Sequence, residues 1–283
     1  MTLYQASTAT LATMHGKERV IAPVLFERLG LRVEVAKGID TDQLGTFAGE
    51  IPRVGTMLEV AVRKARMGMR VSGRQLGLAS EGTFGPHPAI PFLTVGKELM
   101  VFVDDRLGIV IREQMITDDV TSDAMEASPN TSVGGFLERI GHPDQGVIVR
   151  PNVFAGTPVV MKDCHDRDAV EHAIRDAAKL SADGLARLET DMRAHRNPKR
   201  LASLEVLSRK LADRIATPCP GCQLPGFGRL DVKPGLPCSA CGRPTDSISC
   251  EIHACCGCSH SEMRPRPDGR TSENPVYCQW CNP

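Results

Sequence analysis

Ten of the eleven cysteines lie beyond residue 218, and eight of them form four Cys-x-x-Cys pairs. No other feature restricts the fold of this chain as strongly. Residues 217–283 contain a single tryptophan and little apolar mass, so this tail cannot bury enough surface to fold unaided. Paired cysteines at this spacing read as thiolate metal ligands in a reducing compartment. Cys219-Pro-Gly-Cys222 is followed after fifteen residues by Cys238-Ser-Ala-Cys241. Cys255-Cys-Gly-Cys258 is followed after nineteen by Cys278-Gln-Trp-Cys281. Taken in chain order, the first four are expected to hold one Zn2+ and the last four a second. Four thiolates leave no open coordination position, so both zinc ions are expected to be structural. Cys250 and Cys256 are spare, and His253 and His260 are substitute ligands.

The 34 Lys and Arg residues balance 34 Asp and Glu residues, so no global field draws the chain to nucleic acid or membrane. In the tail, six basic residues face six acidic ones, and each zinc bound by four thiolates adds negative charge. Nucleic acid is therefore not the expected partner of the tail, and docking to the rest of the chain or to a protein partner is. No apolar run reaches the length of a membrane span, and Met1–Thr13 lacks the pattern of a secretory leader. A cytoplasmic protein with no membrane partner is expected. An apolar content of 41% supports a sizeable core. The expected organisation is an α/β domain with a mixed sheet flanked by helices (1–160), a helical connector (161–216) and a small double zinc-ribbon domain (217–283).

The chain opens with a β-α-β pattern. Ala9–Thr13 reads as a strand, Met14-His15-Gly16 as a turn, Lys17–Leu29 as a helix containing Pro23, and Leu31–Val35 as a second strand. Lys17, at a helix start after glycine, is either a phosphate ligand or an exposed lysine. Asp40-Thr41-Asp42, with Glu50 further on, suits a hard cation such as Mg2+, or a simple Asx turn. Val54–Met69 is expected to be a helix carrying Glu59 and Lys64; Glu59 either pairs with Arg63 or aims at the next strand end. That strand end, Leu76-Gly-Leu-Ala-Ser-Glu-Gly-Thr-Phe-Gly-Pro-His-Pro88, is the expected working centre. An apolar strand there runs into Ser80, Glu81 and Gly82, where ligands of open α/β sheets sit and glycine permits close approach.

Glu98–Asp104 and Ile109–Gln114 read as a hairpin, Met115–Ser132 as a loop, Gly134–Ile140 as a helix and Gly146–Val149 as a strand. His142 and Arg150 are either structural or face a phosphate, and Cys164 is expected to be a buried apolar residue. Three helices are expected in the connector, marked by Val170 to Ala177, by Leu185, Leu188 and Met192, and by Leu201 to Ile215. Arg193, His195, Arg196, Lys199 and Arg200 form a basic knot, which is a solvated corner, an anion grip or a nucleic-acid contact.

Ala12-Thr13, Gly16-Lys17, Glu59 with Lys64-Ala65, and Ser80-Glu81-Gly82 together resemble the inosine-triphosphatase type of nucleotide pyrophosphatase. The chain departs from that pattern at His15-Gly16, at Val60 and in having one acid at the strand end. The resemblance implies Mg2+-dependent cleavage of a nucleotide. By that resemblance Lys17 and Lys64 would touch phosphates, and Glu59 and Glu81 would hold the metal; apart from the resemblance, Asp40 or Asp42 is expected to join Glu81 and Glu59 on it. Over its whole length the chain also resembles an uncharacterised bacterial family of unknown function that combines the Asp-Thr-Asp, Gly-Thr-Phe and Ser-Glu-Gly-Thr-Phe-Gly-Pro-His-Pro motifs with a cysteine-rich tail. The expected function is a metal-dependent hydrolase of a nucleotide or related phosphate compound. The alternative is a non-catalytic module binding a small ligand or, through the zinc ribbons, a protein partner.

Overall fold

Leu76–Pro86 forms one long strand, β3, and the first part of the chain is assembled around it. The structure, a computed structural model, describes residues 3–45, 51–87, 90–156 and 159–283. Glu50 and Pro88, singled out in the sequence, lie outside the described residues. β3 pairs in parallel with β1 (Thr8–Leu11), which pairs in parallel with β2 (Arg32–Val35). On its other edge it pairs antiparallel with β4 (Thr94–Asp104), which pairs with β5 (Ile109–Thr117). The result is a five-stranded mixed sheet of order β2-β1-β3-β4-β5.

Helices cover both faces of this sheet. On one face, helix α2 (Met57–Ser72) sets Ala61, Ala65 and Met69 against Ala12, Ala79, Leu99 and Val101. Its Gly68 permits the close fit, because a Cβ there would meet Thr10 and Ala12 at 3.3 Å. On the other face, α1 (Glu18–Leu29, with Pro23 inside it) and α5 (Pro198–Ala216) bury Ile21, Leu25, Leu204, Leu207 and Leu211 against Leu11, Leu78, Met100 and Phe102. The last helix of the expected connector thus completes the core of the first sheet.

A second, antiparallel sheet contains β6 (Ala124–Ala127), β7 (Val147–Pro151) and β8 (Ala186–Thr190) in the order β6-β8-β7. Its core joins Val149 and Leu188 to Phe136 and Leu137 of α3 (Gly134–Ile140) and Ile174 of α4 (Arg167–Leu180). Cys164 is buried in this core, as expected. Two expectations are corrected here. The helix expected through Leu185, Leu188 and Met192 is strand β8. Ala186, Leu188 and Thr190 are buried while Arg187 and Glu189 are half-buried, the period of two proper to a strand. Three apolar residues in so short a run do not separate that period from a helical one. The loop expected over Met115–Ser132 contains β6 and the end of β5.

A third sheet, β9 (Gly228–Pro234), β10 (Ile248–Ala254) and β11 (Ser261–Pro265), is an antiparallel meander in the cysteine-rich tail. Arg214 of α5 fastens the tail to the first sheet. Its buried guanidinium donates to the carbonyls of Gly226 (3.0 Å), Arg229 (2.9 Å) and Arg112 (3.0 Å) and pairs with Glu113 at 3.0 Å. Leu224 and Cys256 of the tail pack against the core of the first sheet. No helix among the described residues is long and apolar enough to cross a membrane.

Candidate functional site

The alternation of β3 builds the site. Successive side chains leave a strand on opposite faces. Ser80 therefore faces α1, where Lys17 donates to its hydroxyl at 2.9 Å and to its carbonyl at 3.2 Å. Glu81 faces α2, where it pairs with Lys64 at 2.5 Å and, from the preceding loop, with Arg53 at 3.3 Å. Gly82 faces α5, whose Arg200 forms a fully buried ion pair with Glu98 of β4 at 2.6 Å. A Cβ at Gly82 would lie 2.6 Å from both Arg200 and Glu98, so only glycine fits above this pair. Arg53 also donates to the Gly82 carbonyl.

All of these groups except Glu98 line a cleft of about 630 Å³ between the first and second sheets, a size suited to a small-molecule ligand. The second sheet contributes Arg187, Glu189 and Thr190, with Asp191 and Arg193 beyond it. Among the described residues, seven lysines and arginines line the cleft against five carboxylates. The carboxylates are all engaged. Besides Glu81, Asp42 meets His15 at 3.2 Å, Asp123 meets Arg139 at 2.8 Å, Glu189 meets Arg150 and Arg187, and Asp191 is clasped by Arg193 at 2.7 Å.

Lys17 is held by a neutral group. It is 7% exposed, and among the described residues its hydrogen-bond partners are both atoms of the neutral Ser80. Burial, reinforced by the nearby Arg200 guanidinium, pushes its ammonium down to about 8. His15 also lines the cleft and stacks on His195, with ring centroids 5.2 Å apart and planes 17° from parallel. Burial, then the charges of Arg193 and His15, hold His195 below the ordinary histidine value.

The structure brings Lys17, Lys64, Glu81 and Asp42 to the cleft, but not Glu59 or Asp40. Glu59 is three residues into α2 and completes a capping box: its carboxylate accepts from the Thr56 amide at 2.8 Å, and Thr56 Oγ1 accepts from the Glu59 amide at 3.2 Å. The expected grouping of Glu59 with Glu81 around a metal is therefore corrected. Asp40 caps a short 3-10 turn, accepting from the Asp42 amide at 2.9 Å. His142 bonds the Cys164 carbonyl, and Arg150 supports the cleft-lining Glu189 from outside; neither His142 nor Arg150 lines the cleft itself. Of the basic knot, Arg193 and Arg200 turn inward to the cleft, while Lys199 pairs with Asp119 near the surface. Sequence reasoning passed over His15 as a turn residue and did not single out Arg53 or Ser80 as a partner of Lys17.

In the tail, two groups of four cysteines converge, and their membership is interleaved. Cys219, Cys222, Cys255 and Cys258 form one group; Cys238, Cys241, Cys278 and Cys281 form the other. The pairing expected from chain order is corrected, and the meander gives the reason. The start of β9 lies beside the β10–β11 connection, so the first and third Cys-x-x-Cys pairs meet. The β9–β10 connection lies beside the end of β11, so the second and fourth meet. Sulfur separations run from 3.6 to 3.9 Å. Zinc with four sulfurs at about 2.3 Å in a tetrahedron requires about 3.8 Å between them. The Gly221, Ala240 and Gly257 amides donate to thiolate positions at 3.2–3.4 Å, as a charged sulfur needs. Both groups can hold a metal ion and are consistent with zinc. His253 and His260 pair with Glu251 and Glu262, and Cys256 donates to the Pro225 carbonyl, all outside the two groups.

No curated protein matches the chain. One family model, described as Domain of unknown function (DUF6671), matches residues 64–283. That span runs from Lys64 at the cleft, through the Ser80-Glu81-Gly82 strand end, to the last of the paired cysteines, and on it the chain belongs to the domain-of-unknown-function family DUF6671.

Proposed function

We propose that the cleft binds a small phosphate-bearing molecule, a nucleotide or related compound, and that the protein acts on it as a hydrolase. One observation carries this reading: a chain of zero net charge gathers a surplus of cations in one cleft, with Lys17 buried there among them and no carboxylate among its described hydrogen-bond partners. A phosphate group would give the Lys17 ammonium a direct anionic partner, and Lys17, Lys64 and Arg53 are the groups that would meet it.

Glu81 is a poor magnesium ligand in this arrangement, because Lys64 and Arg53 already neutralise it. Magnesium belongs to the reading only as the companion of a polyphosphate, which it meets through phosphate oxygens and waters. The zinc sites are closed and serve the fold of the tail.

The test is a panel of nucleoside mono-, di- and triphosphates, pyrophosphate and phosphate, each with and without Mg2+, read by melting temperature and phosphate release. At least one phosphate compound should raise the melting temperature without Mg2+ and be turned over. Nucleosides and sugars lacking phosphate should not. A protein indifferent to every phosphate compound would contradict the reading.

A second reading rests on the tail, where Met263, Val276, Tyr277 and Trp280 are exposed, with Arg243 4.1 Å over the Trp280 ring. Aromatic and methionine side chains left in solvent suit a protein partner.

A further inference from the structure

The rim of the cleft holds a pair that the proposed function does not use. His15 lies in the turn between β1 and α1 and lines the cleft with 13% of its side chain exposed. Its Nε2 lies 3.2 Å from Oδ1 of Asp42, which also lines the cleft. The two loops that carry them are tied together. The His15 amide donates to Thr13 Oγ1 at 3.2 Å, the Thr41 amide donates to the Met14 sulfur at 3.2 Å, and the 3-10 turn of Asp42 is capped by Asp40. His195 covers His15 in a near-parallel stack. A carboxylate on one ring nitrogen fixes the tautomer: Nε2 carries the proton and donates to Asp42, and Nδ1 keeps its lone pair. This is the arrangement of an oriented general base, held beside a cluster of cations suited to a phosphate.

We propose that His15 is the general base of the cleft and that Asp42 is its positioning residue. The inference rests on the cleft being a phosphate-ester site. His15 Nδ1 takes a proton from a water molecule while the water oxygen forms a bond to phosphorus. The phosphorus–oxygen bond to the leaving group breaks, and the leaving oxygen keeps the electron pair. The leaving group departs as a phosphate anion on the opposite side of phosphorus, and the imidazolium gives its proton to solvent, so the histidine ends neutral and water is the only co-reactant. Lys17, Lys64 and Arg53 hold the phosphate oxygens and offset the charge that builds on them. Asp42 steadies the imidazolium during the step without itself taking the proton. Its carboxyl, held below the ordinary aspartate value first by the hydrogen bond from His15, suits that role.

The experiment uses ATP and inorganic pyrophosphate as probes, with binding read by calorimetry and turnover by phosphate release on the full chain. His15→Ala should bind both probes within about threefold of wild type and lose about 10²- to 10⁴-fold in kcat, the range ordinary for general acid–base groups. Added imidazole should restore part of that loss, a readout that a structural histidine would not give. Asp42→Asn should lower kcat with KM little changed. Full turnover by His15→Ala overturns the proposal, as does a loss accompanied by lost binding and no imidazole rescue. Wild-type binding without turnover also overturns it and leaves the phosphate site standing. Failure of the wild type to bind either probe instead removes the phosphate reading itself, and this inference with it.

Discussion

Lys17 is the residue whose energetics depend most on what fills the cleft. Its ammonium is buried against a serine, and its value in the folded chain, about 8, lies below the 10.5 of an unperturbed lysine. Between those two values the unfolded chain binds more protons than the folded one, so stability rises with pH across that window. Below pH 8 both states are charged and the full penalty is present; above pH 10.5 it is gone. The shift corresponds to about 3 kcal/mol. Denaturant unfolding from pH 8 to 10.5 should therefore show wild type gaining on Lys17→Met by about that amount, and a constant gap between the two would contradict the burial of a charged Lys17. At this scale the sequence spoke unevenly. A lysine after Gly16 and an acid at an apolar strand end were visible as candidates, and both reach the cleft. Glu59 was equally visible but belongs to the helix cap, and Thr56-x-x-Glu59 is itself a capping signature. Arg53 and His15 left no local signal, because only the folding of distant loops sets them beside Glu81 and Asp42.

Among the elements, long periodic ones were legible and short ones were not. The amphipathic α4 and α5 and the β4–β5 hairpin stand where apolar spacing put them. β8 did not, since five residues flanked by charge satisfy two periods at once. The cysteine ligands were legible as residues but not as partners. Ligand spacing along the chain does not say which Cys-x-x-Cys pairs meet; the antiparallel meander decides that. Zinc content distinguishes the two arrangements. The purified chain should carry two zinc ions, following the two cysteine groups. Cys219→Ser should lower this to one. Adding Cys255→Ser should cause no further loss, because both belong to the same group, whereas adding Cys238→Ser should remove the second. Loss of both ions from the Cys219/Cys255 double variant, with one retained by Cys219/Cys238, would restore the chain-order pairing.

For the molecule as a whole, the cleft exists because two sheets meet. The first sheet brings the end of β3 with its cations, and the second brings Arg187, Glu189 and the Asp191–Arg193 pair. A mixed α/β fold with a cysteine-rich tail was readable from apolar patterning and cysteine spacing. The facing of the two sheets was not, because it depends on how the second core of Val149, Ile174 and Leu188 packs beside the first. The central claim is that this cleft holds a phosphate group against Lys17. Titration calorimetry with inorganic pyrophosphate at pH 8, in two buffers of different ionisation enthalpy, tests it most directly. An anion beside Lys17 raises its affinity for a proton, so binding to wild type should take up as much as about half a proton per chain more than binding to Lys17→Met, the ligand's own proton exchange being common to both. No binding heat up to millimolar pyrophosphate, or the same proton uptake in both proteins, would contradict the account.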